Sequence, residues 1–186
     1  DNMQERIRID HVPYDRWASD AWVTPTPGDV IDHTRIRDRI LEFKQIYNVI
    51  ELGSDRSFAT MILSELADDG IACVDIPQTY KELTDPMNEI ERLLRSKITV
   101  TPEDGEPYEV PMLTHEANPV ARWCFGNTSI AVNGNAQKKY VKEHRGKSVV
   151  RAKRIDLIAA WVCAQARAKL YGTHKSVYDE RGLLIL

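Results

Sequence analysis

The sequence is poor in the residues that would mark a secreted, zinc-binding or membrane protein. Its three cysteines, Cys73, Cys124 and Cys163, form no CxxC pair and no zinc-ligand spacing with the five histidines. We therefore expect reduced thiols, as in the cytoplasm. No apolar run approaches the roughly 18 residues of a membrane span, and the N-terminus has no apolar signal core. The 186 residues are expected to form one globular domain with no membrane partner.

Glycine is also sparse, and its positions exclude several enzyme classes. None of the nine glycines belongs to a GxxxxGKS/T phosphate loop, a GxGxxG dinucleotide motif or a GxSxG nucleophile elbow. Nucleotide binding through a phosphate loop and serine-hydrolase chemistry are therefore not indicated. His115, in "LTHEANP", is a candidate general base, although a structural histidine is the interpretation we favour.

Helical and strand patterns alternate through the middle of the chain, which predicts an α/β fold with a central mixed sheet flanked by helices. Asp32 is the expected N-cap of the first predicted helix, Gly70 the expected end of the second, and Thr84 or Asp85 the expected start of the third, with Pro86 in its first turn. The first thirty residues are expected to be irregular apart from an extended piece at 29–32, and 101–112 an exposed, turn-rich excursion. The predicted helices are 33–47, 56–69, 86–96, a short one ending near Gly126, and 155–171; the predicted strands are 48–52, 71–76 and 128–132.

One segment is densely positive. Residues 138–154 hold eight Lys or Arg and one Glu, a local charge of +7 in a chain whose net charge is −3. Such a segment is suited to contacting the phosphates of a polyanion, although a solvated charged loop has the same composition. The candidate DNA-binding residues are Lys138, Lys139, Lys142, Lys147, Arg151, Lys153 and Arg154.

Two aspartates are the candidate catalytic and metal-binding residues. Asp55 follows the strand "VIELGS", where Val49, Glu51 and Gly53 would share its face, and Asp156 begins the apolar helix "DLIAAWVCAQARA". Ligands gather at the carboxyl ends of strands in open α/β sheets, and two buried carboxylates that face each other need a cation between them. Hard oxygen ligands of this kind favour Mg²⁺ or Mn²⁺. Each aspartate could instead be a helix cap.

Six stretches carry a family resemblance. In order they are "VPYDRW", "TPGDVID", "SDRSFAT", "PQTYKELTDPMNEIERLL", "LTHEANPVARWCFGNT" and "KRIDLIAAWVCAQA". Their order and spacing resemble the C-terminal nuclease domain of the large terminase subunit of tailed double-stranded DNA bacteriophages or a prophage, over about residues 10 to 170. The resemblance implies an RNase H-like fold and an endonuclease that cuts concatemeric phage DNA with two divalent metal ions. The family's metal-binding aspartates fall on Asp55 and Asp156.

The resemblance also sets the expected domain organisation and partners. Residues 1–186 would be one nuclease domain with a core over 10–170 and a tail over 171–186. The partners would be double-stranded DNA, the ATPase domain of the same polypeptide, the small terminase subunit and the portal, in the cytoplasm of the bacterial host. The family's ATPase domain is absent here, and so is the first strand of its nuclease fold, which carries another metal-binding aspartate. Either the sequence is part of a longer chain, or that aspartate is supplied elsewhere.

Two other functions fit the same residues. The chain could be a structural module of the packaging motor that docks to DNA or the portal without cutting. It could also be another RNase H-like nuclease, such as a resolvase or transposase, which the motif order disfavours. The nuclease interpretation predicts that the side chains of Asp55 and Asp156 converge on a shared metal site.

Overall fold

The computed structural model describes residues 2–28, 32–55, 60–114, 116–142 and 153–171. Helices and strands alternate along the chain, which confirms the predicted α/β class. The helices are α1 (Asn2–Asp10), α2 (Tyr14–Ser19), α3 (His33–Ile46), α4 (Thr60–Asp68), α5 (Tyr80–Arg95), α6 (Pro119–Gly126) and α7 (Asp156–Ala168). The strands are β1 (Glu51–Ser54), β2 (Ala72–Asp75), β3 (Lys97–Val100), β4 (Tyr108–Pro111), β5 (Thr128–Val132) and β6 (Lys138–Lys142).

The described strands form three two-stranded sheets, whereas one central mixed sheet was expected. β1 and β2 are parallel, with Gly53 opposite Val74, and the other two pairs are antiparallel hairpins, β3–β4 and β5–β6. Each strand has only four or five residues and a single partner among the described residues. The parallel pair is the part of the fold where the first candidate aspartate lies.

The main hydrophobic core surrounds α7. Ile158, Val162 and Cys163 of this helix are buried against Leu83 and Met87 of α5 and neighbouring apolar side chains from α6 and β6. A second, smaller cluster joins α4 to β2 and the apolar side of α3. Among the described residues, no helix is long and apolar enough to cross a lipid bilayer. α7 is therefore the element against which α5, α6, β1 and the β5–β6 hairpin are positioned.

Two of the predicted helix ends are confirmed by their local hydrogen bonds. The Asp32 side chain caps α3 by accepting hydrogen bonds from the backbone N–H groups of Thr34 and Arg35. Gly70 follows α4 with a φ of +77°, in the left-handed region that favours glycine. Part of the predicted 56–69 helix and most of the extended piece at 29–32 lie outside the described residues.

The predicted start of α5 was wrong. The helix begins at Tyr80, and its N-cap is Thr79, whose hydroxyl accepts a hydrogen bond of 3.3 Å from Glu82 N. Pro86 therefore lies inside the helix, where it lacks the N–H that would bond to the carbonyl one turn earlier. Burial of Leu83 and Met87 on either side of it stabilises the helix enough to offset this loss.

The prediction of an irregular N-terminus was wrong, whereas 101–112 is mostly exposed and contains a turn as predicted, but it also contains a strand that was not. Residues expected to be irregular form α1 and α2, because Trp17 packs against Tyr14 and Trp123 and fixes α2 on α6. The acidic stretch at 101–112 contains the connection of the β3–β4 hairpin and the whole of β4. Ile98 and Tyr108 of this hairpin are about half exposed. The hairpin therefore has no strongly buried face, and its sequence lacks the clear apolar alternation that would have predicted two strands.

Candidate functional site

The candidate site begins where β1 packs against α7. Gly53 makes this packing possible, because a Cβ at this position would lie 3.1 Å from the carbonyl oxygen of Cys163 and 3.1 Å from Arg167 Cγ. Any larger residue would push the strand away from the helix. The contact brings the middle of β1 onto the C-terminal half of α7.

An ion pair fixes the direction in which the strand crosses the helix. Arg167 donates to Glu51 through Nε and through Nη2, the latter at 3.1 Å to Oε2, and Tyr171 Oη donates to the same oxygen at 3.1 Å. The Glu51 side chain is only 8% exposed, and the Arg167 guanidinium lowers the pKa of its carboxyl below the ordinary value. The start of β1 therefore meets the end of α7, so the strand runs toward the N-terminus of the helix.

Asp55 lies directly after β1 and is exposed to solvent. Its charge reaches two buried groups, Cys163 of α7 and Tyr140 of β6. Burial is the main cause that raises the pKa of Tyr140 to about 12, and the charges of Cys163 and Asp55 act in the same direction. Burial likewise raises the pKa of the Cys163 thiol, with a further contribution from Asp55. Asp55 therefore faces the middle of α7 and the buried end of Tyr140.

Gln78, which sequence reasoning missed, connects the elements around Asp55. Its side-chain oxygen accepts the Tyr140 hydroxyl, and its Nε2 donates to Ile76 O at 2.8 Å and contacts Cys163 Sγ at 3.6 Å. Its backbone oxygen accepts a hydrogen bond of 2.6 Å from Lys139 Nζ. The only sequence signal was its position three residues after β2, at the carboxyl end of the parallel sheet.

Asp156 is the first residue of α7 and is also exposed. Ile155 is the N-cap and makes no side-chain cap hydrogen bond, so the interpretation of Asp156 as the N-cap residue was wrong. Its negative charge still lies in the first turn, where the helix dipole favours an acid. Burial raises the pKa of the Cys124 thiol of α6, and the charge of Asp156 adds to this effect.

The two aspartates differ from expectation in one respect. Both were expected to be buried, and both are exposed, because each follows or begins an element at its solvent end. The described residues contain no cluster of three or more His, Cys, Asp or Glu side chains that could hold a metal ion. Whether the carboxylates of Asp55 and Asp156 converge on one metal site stays a prediction.

The basic segment divides into three groups of side chains. Lys138 Nζ lies 2.9 Å from Glu91 Oε2 in a salt bridge, and Lys139 Nζ donates to the backbone of Gln78. Lys142 and Arg154 are exposed, and Lys153 is half-buried. Lys147 and Arg151 lie outside the described residues, as does His115. Lys138 and Lys139, the first two residues of β6, are therefore held by contacts within the protein.

Comparison with known proteins gives one relative and one solved structure. Protein YmfN of Escherichia coli K12 is 28% identical over 169 residues, which cover 89% of this chain and 32% of that protein. The crystal structure of the HK97 bacteriophage large terminase matches with a TM-score of 0.66 and 20% identity, over 88% of this chain and 30% of that one. No protein-family model matches. The chain thus has the fold of part of a phage large terminase and spans about a third of the length of both proteins.

Proposed function

We propose that the chain is part of the nuclease module of a phage DNA-packaging terminase, a metal-dependent endonuclease that cuts concatemeric double-stranded DNA. The observation that carries this proposal is the packing of β1 on α7. The strand runs toward the N-terminus of the helix, and this direction supports a site that Asp55, after the strand, would share with Asp156, the first residue of α7. The fold likeness to the HK97 large terminase supports the same assignment.

The spacing along the two elements is compatible with a shared site. Asp55 is two residues past Gly53, which places it about 7 Å further along the strand. Asp156 is seven residues before Cys163, which is about 10.5 Å along the helix axis. Because a Cβ on Gly53 would contact Cys163, both lengths are measured from the same point. Both run toward the N-terminus of α7, and they are similar. The two lengths differ by about 4 Å, which the side chains of two aspartates around a cation can span.

The donor chemistry of the two aspartates fits Mg²⁺ or Mn²⁺. Their carboxylates are hard oxygen ligands, and their exposure avoids the cost of burying an uncompensated charge. Two ions, when bound, would activate a water molecule and stabilise the leaving oxygen of a phosphodiester. Two aspartates are fewer ligands than two ions need, so we propose that the chain is part of a longer polypeptide that supplies a further carboxylate and completes an RNase H-like sheet beside β1.

The DNA backbone would be held by the exposed cations. Lys142 at the end of β6 and Arg154 just before α7 are exposed, and Lys153 lies between Arg154 and the rest of the basic segment. Lys138 and Lys139 would contribute less, because Glu91 and Gln78 already hold their ammonium groups. Such contacts position a duplex without reading its bases. The ATPase domain, the small terminase subunit and the portal are the proposed partners, in the cytoplasm of the bacterial host.

The second candidate function is a docking module that does not cut. It is favoured by one observation, the lack of a three-residue metal-ligand cluster among the described residues. In that case Asp156 would only stabilise the first turn of α7, and the exposed cations would bind DNA or the portal for positioning.

A plasmid-nicking assay separates the two functions. In the proposed longer polypeptide, which supplies the further carboxylate, the nuclease interpretation predicts nicking of supercoiled DNA with Mn²⁺, none with EDTA, and a loss of at least about a hundredfold in D55N and in D156N. Asp68→Asn is the matched control, since Asp68 is an exposed acid at the end of α4. Equal nicking by wild type and D156N, or DNA binding with no Mn²⁺-dependent nicking, would favour the docking module.

A further inference from the structure

A cavity of about 550 Å³ lies beside α1, α2, α6 and the start of α7. Its volume is in the range of sites that hold a small organic ligand. The charged and aromatic residues that line it are Arg6, Asp10, Tyr14, Trp123, Arg154 and Asp156. Apart from Arg154 and Asp156, none of these belongs to the proposed metal site or DNA surface.

Asp10 lacks a hydrogen-bond partner that a buried carboxylate needs. It is only 7% exposed, and its Oδ2 accepts a hydrogen bond of 3.0 Å from Tyr14 Oη. Its Oδ1 is buried and has no partner in the part of the chain that the structure describes. An unsatisfied buried acceptor of this kind costs about 1–3 kcal/mol. A ligand with an N–H or O–H group in this cavity would satisfy it.

Two arginines line the same cavity. Arg6 of α1 and Arg154 are both exposed, and neither forms a salt bridge with a carboxylate in the described ranges. Guanidinium groups bind phosphate through several N–H donors in a fixed geometry. The cavity thus offers an anion-binding side at the two arginines and an acceptor at Asp10.

Burial and the hydrogen bond to Asp10 raise the pKa of Tyr14 to about 12, against a smaller lowering effect of the Arg154 side chain, which also contacts the hydroxyl. The hydroxyl therefore stays protonated and continues to donate to Asp10 at neutral pH. Tyr14 therefore occupies one oxygen of Asp10 and leaves the other for the ligand. The wall beside it is apolar, with Trp123 and Val23 facing the cavity. A planar heterocycle would pack on this wall.

We propose that this cavity binds a single nucleotide, with its phosphate at Arg6 and Arg154 and a base or sugar donor at Asp10 Oδ1. The charges of Arg6, Arg154, Asp10 and Asp156 sum to zero, so the cavity has no general attraction for anions. It selects a ligand that carries an anionic group and a hydrogen-bond donor together. A nucleotide has both, on either side of an apolar ring, and every base carries at least one N–H group.

This inference goes beyond the proposed nuclease function and does not depend on it. The proposed ligand contacts use neither Asp55 nor a metal ion. Binding can therefore be measured with EDTA present, where the nuclease cannot act. Failure of nucleotide binding and failure of DNA cleavage are separate results.

Isothermal titration of the full chain in EDTA tests the proposal, with 2′-deoxycytidine 5′-monophosphate, inorganic phosphate and deoxycytidine as probes. We expect the nucleotide to bind at least tenfold more tightly than either fragment. Arg6→Gln and Arg154→Gln should each weaken nucleotide binding about tenfold. Arg8→Gln is the matched control, because Arg8 is an exposed arginine of α1 that does not line the cavity, and its binding should be unchanged.

Asp10→Asn tests the other end of the site. It should weaken nucleotide binding about tenfold and leave phosphate binding unchanged, and Asp15→Asn on α2 is its exposed control. If D10N fails to fold, two other measurements test the proposal. They are the affinity for nucleotide relative to phosphate and the nucleotide affinities of R6Q and R154Q. Equal affinity for nucleotide and phosphate, or wild-type affinity in R6Q and R154Q, would overturn the proposal. A 5′-phosphorylated tetranucleotide that binds as tightly as the monophosphate would identify a DNA strand end as the source, and weaker binding a free nucleotide.

Discussion

At the scale of single residues, the geometry around β1 depends on a glycine and an ion pair. Gly53 allows the strand to approach the backbone of α7, and the Glu51–Arg167 pair fixes which end of the helix the strand meets. Neither residue is a proposed ligand or catalyst. They determine where Asp55 lies, and therefore whether it can reach the end of α7 that carries Asp156.

Gly53→Ala is expected to destabilise the protein by about 1–3 kcal/mol, the usual cost of overpacking. The added methyl group would meet the carbonyl oxygen of Cys163 at 3.1 Å, and backbone atoms cannot move aside as a flexible side chain can. Gly126→Ala is the matched control, because a Cβ there meets nothing within 4 Å. The free energy of unfolding from urea denaturation measures both. A G53A protein as stable as G126A would show that β1 does not pack closely on α7.

At the scale of elements, caps and contacts explain which parts of the fold the sequence could predict. α3 and the end of α4 were predictable because Asp32 and Gly70 have strong local preferences. The start of α5 was not, since burial of Leu83 and Met87 outweighs the effect of Pro86. The wrong prediction for the N-terminus has the same kind of cause, because α2 depends on the contact of Trp17 with Trp123, which is far away in sequence.

The candidate site was predictable only in part for the same reason. Glu51, Gly53 and Asp55 were expected on one strand face, and the contacts of Glu51 and Gly53 with α7 confirm that face for these two residues. The exposure of Asp55 and Asp156 was not predictable. Each lies at the end of an element, and whether that end is covered depends on how the neighbouring elements pack around it. The role of Gln78 depends on residues far away in sequence, Tyr140 and Cys163, which no local pattern connects.

Asn118→Ala tests the capping of α6, the helix that carries Trp123 and Cys124. Its side-chain oxygen accepts from Val120 N at 2.9 Å and from Ala121 N at 3.1 Å, so the substitution should cost about 1 kcal/mol of unfolding free energy. Asn135→Ala, in the exposed loop of the β5–β6 hairpin, should change stability by less than half of this amount. Chemical denaturation compares the two, and equal losses would argue against the cap.

At the scale of the whole molecule, paired carboxylates set the response to acid. The pKa of Glu51 is lowered by Arg167, that of Asp69 by Arg37, and that of Glu91 by Lys138. A lowered folded-state pKa stabilises the protein above the unfolded-state value, and this contribution disappears as pH falls through the folded-state value.

Stability is therefore expected to be level near neutral pH and to fall once the pH drops below about 4.5, the ordinary value for Glu. Thermal unfolding between pH 3 and pH 7 measures this. Arg37→Gln, which removes the partner of Asp69, should flatten the acid side of the profile. Arg39→Gln serves as the control, because it removes an exposed pair with Glu42 and a cation–π contact with the Phe43 ring but leaves the Asp69 pair intact. Identical profiles for wild type and R37Q would contradict the assignment.

DNA binding is expected to be salt-sensitive and independent of sequence, because each phosphate contact contributes roughly −0.9 to the slope of log K against log salt. Lys142→Ala and Arg154→Gln together should remove about two phosphate contacts and so reduce the magnitude of that slope by about 1.8. Lys138→Ala and Lys139→Ala together should reduce it less, since both lysines are already bonded within the protein. Fluorescence anisotropy with a duplex at several salt concentrations gives the slopes. A larger effect of the Lys138 and Lys139 pair would reverse this ranking.

The central claim is that Asp55 and Asp156 act as one metal-dependent site. A double-mutant cycle of plasmid nicking in Mn²⁺, made in the proposed longer polypeptide that supplies the further carboxylate, tests it most directly. Residues that act as a unit lose the same activity singly or together. The account predicts that D55N, D156N and the D55N/D156N double variant are all reduced to the same residual rate. Thermal unfolding without metal should change little, because both aspartates are exposed. Full nicking activity in D156N, or losses that multiply in the double variant, would contradict a shared site.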